Sequence, residues 1–156
     1  MFEELPVGWT AFPVPPEARS QGASAWAEER LLVWGGHVYT GYSDEVPRAD
    51  GFTFDARSRT WHAMAAAPLA PRLMPASAWS GRELLIWGGT DERFQRFFRD
   101  GAAYDPESDS WRRLPRAPIS ARAPLSVWTG RELLVWATAV RVRDRPRDGA
   151  AYDPRG

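Results

Sequence analysis

"SGRELLIWGGT" at residues 80–90 returns as "TGRELLVWATA" at 129–139 and, more loosely, as "AEERLLVWGGH" at 27–37. A 156-residue chain that writes one phrase three times is a repeat protein, and its period has to be settled before any local reading. Other landmarks keep the same step. Arg19, Arg72 and Arg122 stand six or seven residues before Trp26, Trp79 and Trp128, and each of those stands eight before Trp34, Trp87 and Trp136. "DGFTFD" at 50–55 becomes "DGAAYD" at 100–105 and again at 148–153. Trp9, Trp61 and Trp111 complete the set, so all nine tryptophans fall three to a repeat. The period is about 50 residues.

Each repeat reads as four short strands. The first is small and apolar ("GASAW", "PASAW", "PLSVW"), which suits a strand crowded near an axis. The second ("LLVW" or "LLIW") is a continuous apolar run bounded by turn signals, as expected of a strand covered on both faces. Gly35-Gly36 and Gly88-Gly89 follow it and allow positive φ or close backbone approach. The third strand carries Phe54, Tyr104 or Tyr152, and "DPESDS" at 105–110 then forms a tight turn with Pro106 at its second position. The fourth carries Trp61 or Trp111 and stops at Pro-rich "APLAPR" or "APISAR"; proline has no amide to donate, which suits an outer edge.

Four antiparallel strands in about 50 residues make a β-propeller blade. An apolar strand followed by Gly-Gly, an aromatic followed by Asp-Pro, and then a Trp closely resemble the kelch repeat. The resemblance implies that Gly35-Gly36, Gly88-Gly89, Tyr104 and Trp111 are packing residues. Repeat three departs from the pattern, with Ala137-Thr138 in place of the glycine pair. The reading is all-β and a single domain over 1–156: an orphan fourth strand at 1–15, blade 1 at 16–68, blade 2 at 69–118, and blade 3 at 119–156 without its fourth strand.

Three blades are too few to close a ring, since propellers run from about four to eight. An open arc leaves apolar faces and unpaired strand edges in water. The expectation is a C2 homodimer closing as a six-bladed ring, in which the strand around Trp9 of one copy completes the blade at 123–154 of the other. Trp9, Trp128, Trp136 and Tyr152 are the expected closure residues. A nine-bladed trimer is the alternative closure.

Composition removes several classes of function. Lys plus Arg equals Asp plus Glu, 20 against 20, and pI is about 6.7, so the broad basic footprint of a nucleic-acid or membrane-surface binder is missing. All the basic residues are arginine, which suits planar, bidentate contacts to carboxylates. The absence of cysteine removes disulfides, thiolate nucleophiles and the cross-linked cysteine of the kelch copper oxidases. No metal or cofactor is expected: His37 and His62 lack ligand spacing, and Asp105, Glu107 and Asp109 lack the glycine and distal glutamate of a calcium loop. "MFEELPVGWT" is acidic with no apolar h-region, so a cytoplasmic address is expected.

Binding is expected on the loops that differ most between repeats, 37–50, 90–100 and 138–148, because variable loops on a rigid scaffold carry function. "ERFQRFF" spaces Phe94, Phe97 and Phe98 for a helical turn, with Arg93 and Arg96 on its other side. These phenylalanines either pin the loop to the next blade or grip a ligand. Arg141, Arg143, Arg145 and Arg147 either line a solvated arm or attract an acidic group. Arg19, Arg72 and Arg122 either bond loop carbonyls or, as in kelch domains that bind acidic peptides, meet a ligand at the channel mouth. The candidate ligand residues are therefore Arg19, Arg72, Arg122, Arg96, Arg141, Arg143 and Phe97, with an acidic peptide or small polar ligand as partner. The expected function is a non-catalytic binding or scaffold module. One alternative is a sugar isomerase of the kind found among bacterial kelch propellers, using His37 with Asp44, Glu45 or Asp91. The other is a half-propeller with no ligand of its own.

Overall fold

A computed structural model describes residues 8, 11–39, 45–119, 123–136 and 149–155. In it the three repeats become three successive antiparallel sheets. The first contains β1 (Ala23–Ala27), β2 (Arg30–Trp34), β5 (Gly51–Asp55) and β6 (Thr60–Ala63), in that spatial order. Between its second and third strands a small hairpin, β3 (His37–Tyr39) with β4 (Glu45–Pro47), occupies the region read from sequence as a loop. The second sheet runs β7 (Ala76–Trp79), β8 (Leu84–Trp87), β9 (Gly101–Asp105), β10 (Ser110–Leu114). The third has β11 (Leu125–Trp128), β12 (Leu133–Trp136) and β13 (Gly149–Tyr152), with no fourth strand among the described residues. Each sheet is a meander of neighbours, the pattern of a propeller blade.

Strand alternation gives each blade two apolar faces, and the registers show which residues share one. On blade 1, Ala23 opposes Trp34 and Ala25 opposes Leu32, so these four line its outgoing face. They pack with Leu84, Ile86, Ala102 and Tyr104, which line the incoming face of blade 2. The next junction repeats the scheme with Ala76, Leu85, Trp87 and Ala103 against Leu133 and Val135. Alanines on the innermost strands let successive blades approach there, which places β1 beside β7 and β7 beside β11. Serine has a second role that the sequence reading missed. The Ser77 hydroxyl donates to the Ser24 carbonyl at 3.3 Å, and the Ser126 hydroxyl to the Ser77 carbonyl at 3.1 Å, stitching the inner strands blade to blade.

The ends of β2 and β8 depend on glycine. Gly36 and Gly89 have φ of 76° and 89°, and a Cβ on them would lie 2.4 Å from the Ser20 carbonyl oxygen and 2.6 Å from that of Leu73. Gly81, at φ 91°, sits in an open turn with nothing within 4 Å of such a Cβ. Gly81→Ala should therefore cost only left-handed strain, about 1–2 kcal/mol. Gly89→Ala adds a collision with backbone and should cost about 2–4 kcal/mol. Urea-denaturation midpoints of the two variants test the difference.

Candidate functional site

The turns joining second to third strands and the segments joining one blade to the next meet on one face, and the recurring arginines stand there. Arg72 is 0% exposed. Its Nη1 donates to the Gly88 carbonyl at 3.0 Å and to the carbonyl and Oδ1 of Asp100 at 3.3 and 3.1 Å, and its Nε donates to the Ala70 carbonyl. The guanidinium also lies 4.2 Å from the Phe98 ring centroid. Arg19 repeats the design, donating to the carbonyl of Asp50 at 2.7 Å and its Oδ2 at 2.8 Å, and lying over Phe52. Both arginines tie the entry of a blade to the Asp that opens the Asp-Gly of its third strand. That is the loop-carbonyl alternative of the two open in the sequence, and Arg72 offers a ligand no surface. Arg122 lies outside the described residues.

The charges follow from this bonding. Burial lowers the Arg72 pKa, while its bonds to Asp100 oppose the shift. Burial pushes Asp100 up, but the Arg72 hydrogen bond and charge prevail and hold it below the ordinary 3.8. Around Arg19, Arg48 grips Glu17 with two bonds of 2.9 and 2.6 Å, a bidentate pair that the sequence reading did not single out. Those bonds, against burial and with help from Arg19, hold the Glu17 carboxyl at about 2.

The loop after Gly89 is not the helical turn its spacing suggested. The Asp91 carboxylate accepts the Gln95 and Arg96 amides at 2.8 and 3.1 Å, Phe94 takes φ 53°, and bridges from Thr90 to Leu73 and Phe97 pin both ends. An Asx-type local closure outcompetes the helix because the side chain satisfies the amides directly. Phe98 turns inward and is buried, Phe97 is half-buried, and Arg96 is exposed beside the Phe98 ring. Arg96 and Phe97 thus remain on this face within reach of a ligand. Arg141 and Arg143 lie outside the described residues.

His37 is fully buried, with Nε2 3.0 Å from the Ser20 hydroxyl and its ring 4.8 Å from that of Tyr39. His62 is exposed and meets the Thr60 hydroxyl. "DPESDS" forms its turn: Asp105 Oδ1 accepts the Glu107 amide, and Asp109 Oδ1 accepts the Tyr104 hydroxyl at 2.7 Å and the Ala65 amide at 2.8 Å. No cluster of potential metal ligands occurs among the described residues.

The larger clefts lie on the opposite face, among the tight hairpin turns. One of 370 Å³ crosses the seam of blades 1 and 2 beside Trp79, where Arg30 donates to Glu107 at 2.7 Å. A second crosses the seam of blades 2 and 3 beside Trp128, where Arg112 forks onto Glu83 at 2.8 and 2.6 Å. Sequence reasoning did not find them because their charges come from turns distant along the chain. Trp79 of the first cleft and Trp128 of the second showed in the sequence only as the recurring Trp.

Successive antiparallel blades stitched at their inner strands define the β-propeller class. The kelch motif matches residues 71–118, which contain the four strands of the second sheet. The solved structure titled "Structure of YjhT" is similar over 80% of this chain at a TM-score of 0.63 and 22% identity, a likeness of fold. The chain spans 35% of the length of that structure. No curated protein matches the sequence. The repeat, its sheets and these likenesses support a kelch-repeat β-propeller fold.

The Glu17 pair gives a direct test. Its pKa is depressed from 4.5 to about 2, so the stability it contributes is present above pH 4.5 and is lost as pH falls toward 2. NMR titration should find Glu17 near the lower value in the intact protein, moving most of the way back in Arg48→Ala and less far in Arg19→Ala.

Proposed function

We propose that the chain is a non-catalytic binding or scaffold module, and that two copies close head to tail into a six-bladed ring whose loop face takes an acidic or polar ligand. One observation carries the assembly. Trp34 and Trp87 occupy the same place on the outgoing faces of blades 1 and 2 and are 0% and 3% exposed, while their equivalent on blade 3, Trp136, is 64% exposed. Leu125 and Val127 share that bare face. The incoming face of blade 1 is also bare at Trp26, whose equivalents Trp79 and Trp128 pack in junctions.

The two uncovered faces match in kind, since blade 1 offers what covers blades 1 and 2 from the other side. Each large apolar side chain so covered is worth roughly 1.5–3 kcal/mol. Contributions from two symmetric junctions are large enough to offset an association cost of about 4–15 kcal/mol. A contact between unlike faces that closes after two copies gives a C2 ring.

The binding reading is supported over the isomerase reading by His37, which lies fully buried against Ser20 and Tyr39 with no opening to a substrate. Asp91 spends its carboxylate on its own loop. On the loop face, Arg96 and Phe97 take over the ligand role that buried Arg72 has no surface for. Arg141, Arg143, Arg145 and Arg147 lie outside the described residues; in the sequence they give the third variable segment four positive charges.

Native mass spectrometry should give twice the 17.5 kDa chain mass, and Trp136→Arg should give the single-chain mass with the blades still folded by circular dichroism. A single-chain mass for the unaltered protein overturns the assembly. Binding of an oligoglutamate peptide should weaken about tenfold or more in Arg96→Ala without any change of mass. Unchanged binding removes the assigned ligand face.

A further inference from the structure

We propose that blade 3 carries a preformed socket for one tryptophan on an extended strand, and that its occupant is Trp9 of a second copy. This rests on the assembly proposed above and names the segment that makes it. Between the exit of β10 and strands β12 and β13 lies an apolar hollow of 170 Å³, lined by Trp87, Leu114, Pro115, Val135, Ala150 and Tyr152.

Two equivalent places in the molecule are filled. On blade 2, Trp111 lies 4.9 Å from the Tyr104 ring and 5.9 Å from that of Trp34, and its indole N–H donates to the Ala65 carbonyl at 2.9 Å. On blade 1, Trp61 lies 5.1 Å from the Phe54 ring, and its N–H donates to the Pro13 carbonyl at 3.1 Å. Stepping one repeat along turns Tyr104, Trp34 and Ala65 into Tyr152, Trp87 and Pro115, all of which line the hollow. Blade 3 therefore has both aromatic walls and the acceptor carbonyl, but no tryptophan in the hollow among the described residues.

The backbone beside the hollow is also prepared. β5 takes β6 on its outer edge and β9 takes β10, whereas β13 has no partner on that edge among the described residues. An unpaired strand edge is a template for another strand. The guest must then be antiparallel, extended and bear a tryptophan.

The two filled cases define the guest further: Trp61-x-x-Met64 and Trp111-x-x-Leu114 each put a Trp on their own blade and an apolar residue three places later in the junction with the next blade. Trp9-x-x-Phe12 is the remaining match of this form. Phe12 already sits on the incoming face of blade 1, 4.3 Å from the Phe54 ring and 5.9 Å from that of Trp61. Phe12 thus stands to blade 1 as Met64 stands to blade 2; Trp9 and Thr10 lie outside the described residues, and the proposal assigns them to the blade that precedes blade 1. In a closed pair of copies that blade is the third blade of the other chain.

The register carries over as well. Trp111 opposes Tyr104, Arg112 opposes Ala103 and Arg113 opposes Ala102. The second copy's Trp9 accordingly faces Tyr152, its Thr10 faces Ala151 and its Ala11 faces Ala150. Its indole N–H bonds the Pro115 carbonyl, and its Ser24 hydroxyl extends the serine stitch to the Ser126 carbonyl.

The chain contains no cysteine, so single thiols can be placed at will. Thr10→Cys and Ala151→Cys chains, mixed and oxidised with glutathione disulfide, can join only between copies, and facing strand residues have the Cα spacing a disulfide needs. The mixture should yield a covalent heterodimer at least about tenfold faster than either variant alone, and Trp9→Ala in the Thr10→Cys chain should remove that advantage. Ala11→Cys with Ala150→Cys is a second pair, should the first disturb folding. If both mixtures keep the mass of a dimer yet fail to cross-link, the socket assignment falls and the face-to-face assembly survives. If the unaltered chain has the mass of one copy, both fall. A chain carrying both thiols that cross-links internally, without joining a second copy, overturns the exchange of strands.

Discussion

The structure depends on each blade being covered by its neighbour. A four-stranded sheet with two apolar faces has no stable state alone in water, because burial of those faces is the main favourable term available to it. At both internal junctions the same parts recur: alanines on the inner strand, a leucine and a tryptophan on the second strand, and across from them a leucine, a β-branched residue and an aromatic. Small inner residues let sheets converge toward the axis, while the tryptophans fill the widening wedge toward the rim. The serine stitch fixes the convergence at the narrow end. The indole N–H bonds of Trp34 to Ala49 and Trp87 to Arg99 fix the orientation of the large rings.

The recurring arginines belong to the same architecture. A wedge-shaped stack must turn its chain sharply from the rim of one blade to the centre of the next, leaving carbonyls at the crossing without strand partners. Arg72 meets the Ala70, Gly88 and Asp100 carbonyls and the Asp100 carboxylate, and Arg19 meets the Asp50 carbonyl and the carboxylates of Asp50 and Glu17 at the previous crossing. Breaking such a buried set takes the guanidinium from the Asp100 carboxylate and a donor from the Ala70 and Gly88 carbonyls, which is why the residue recurs. Recurrence in a repeat protein marks what every unit needs. What the units do not share, here the 90–100 loop with its exposed Arg96 and the bare face of blade 3, is where the proposed recognition falls.

Blade identity, strand order and the packing tryptophans were legible in the sequence because they rest on local period and on residue size. The partners of the arginines were not: Asp50 and Asp100 look like ordinary turn residues until the chain crossing brings them beside Arg19 and Arg72. Ser24, Ser77 and Ser126 read as merely small, since a hydroxyl's acceptor on another blade leaves no trace in spacing. The 90–100 loop misled because apolar spacing at i, i+3 and i+4 is compatible with a helix, while the Asp91 side chain supplies the amides with a competing partner. The pair of seam clefts escaped for a further reason: Arg30 and Glu107 are neighbours only once two blades stand side by side.

The two bare faces also differ from the internal ones in a way that bears on their pairing. Where blades 1 and 2 put Ala23, Ala25, Ala76 and Ala78 on their outgoing inner strands, blade 3 puts Leu125 and Val127. Where blades 2 and 3 present Ala102 and Ala150 on their incoming third strands, blade 1 presents Phe52. Bulk has been added on both sides of the bare seam and on neither side of the closed ones. Neither face can therefore take the place of its counterpart in an internal junction, because packed interiors tolerate added volume poorly. In the ring proposed above, that difference favours one order, the outgoing face of a third blade against the incoming face of a first.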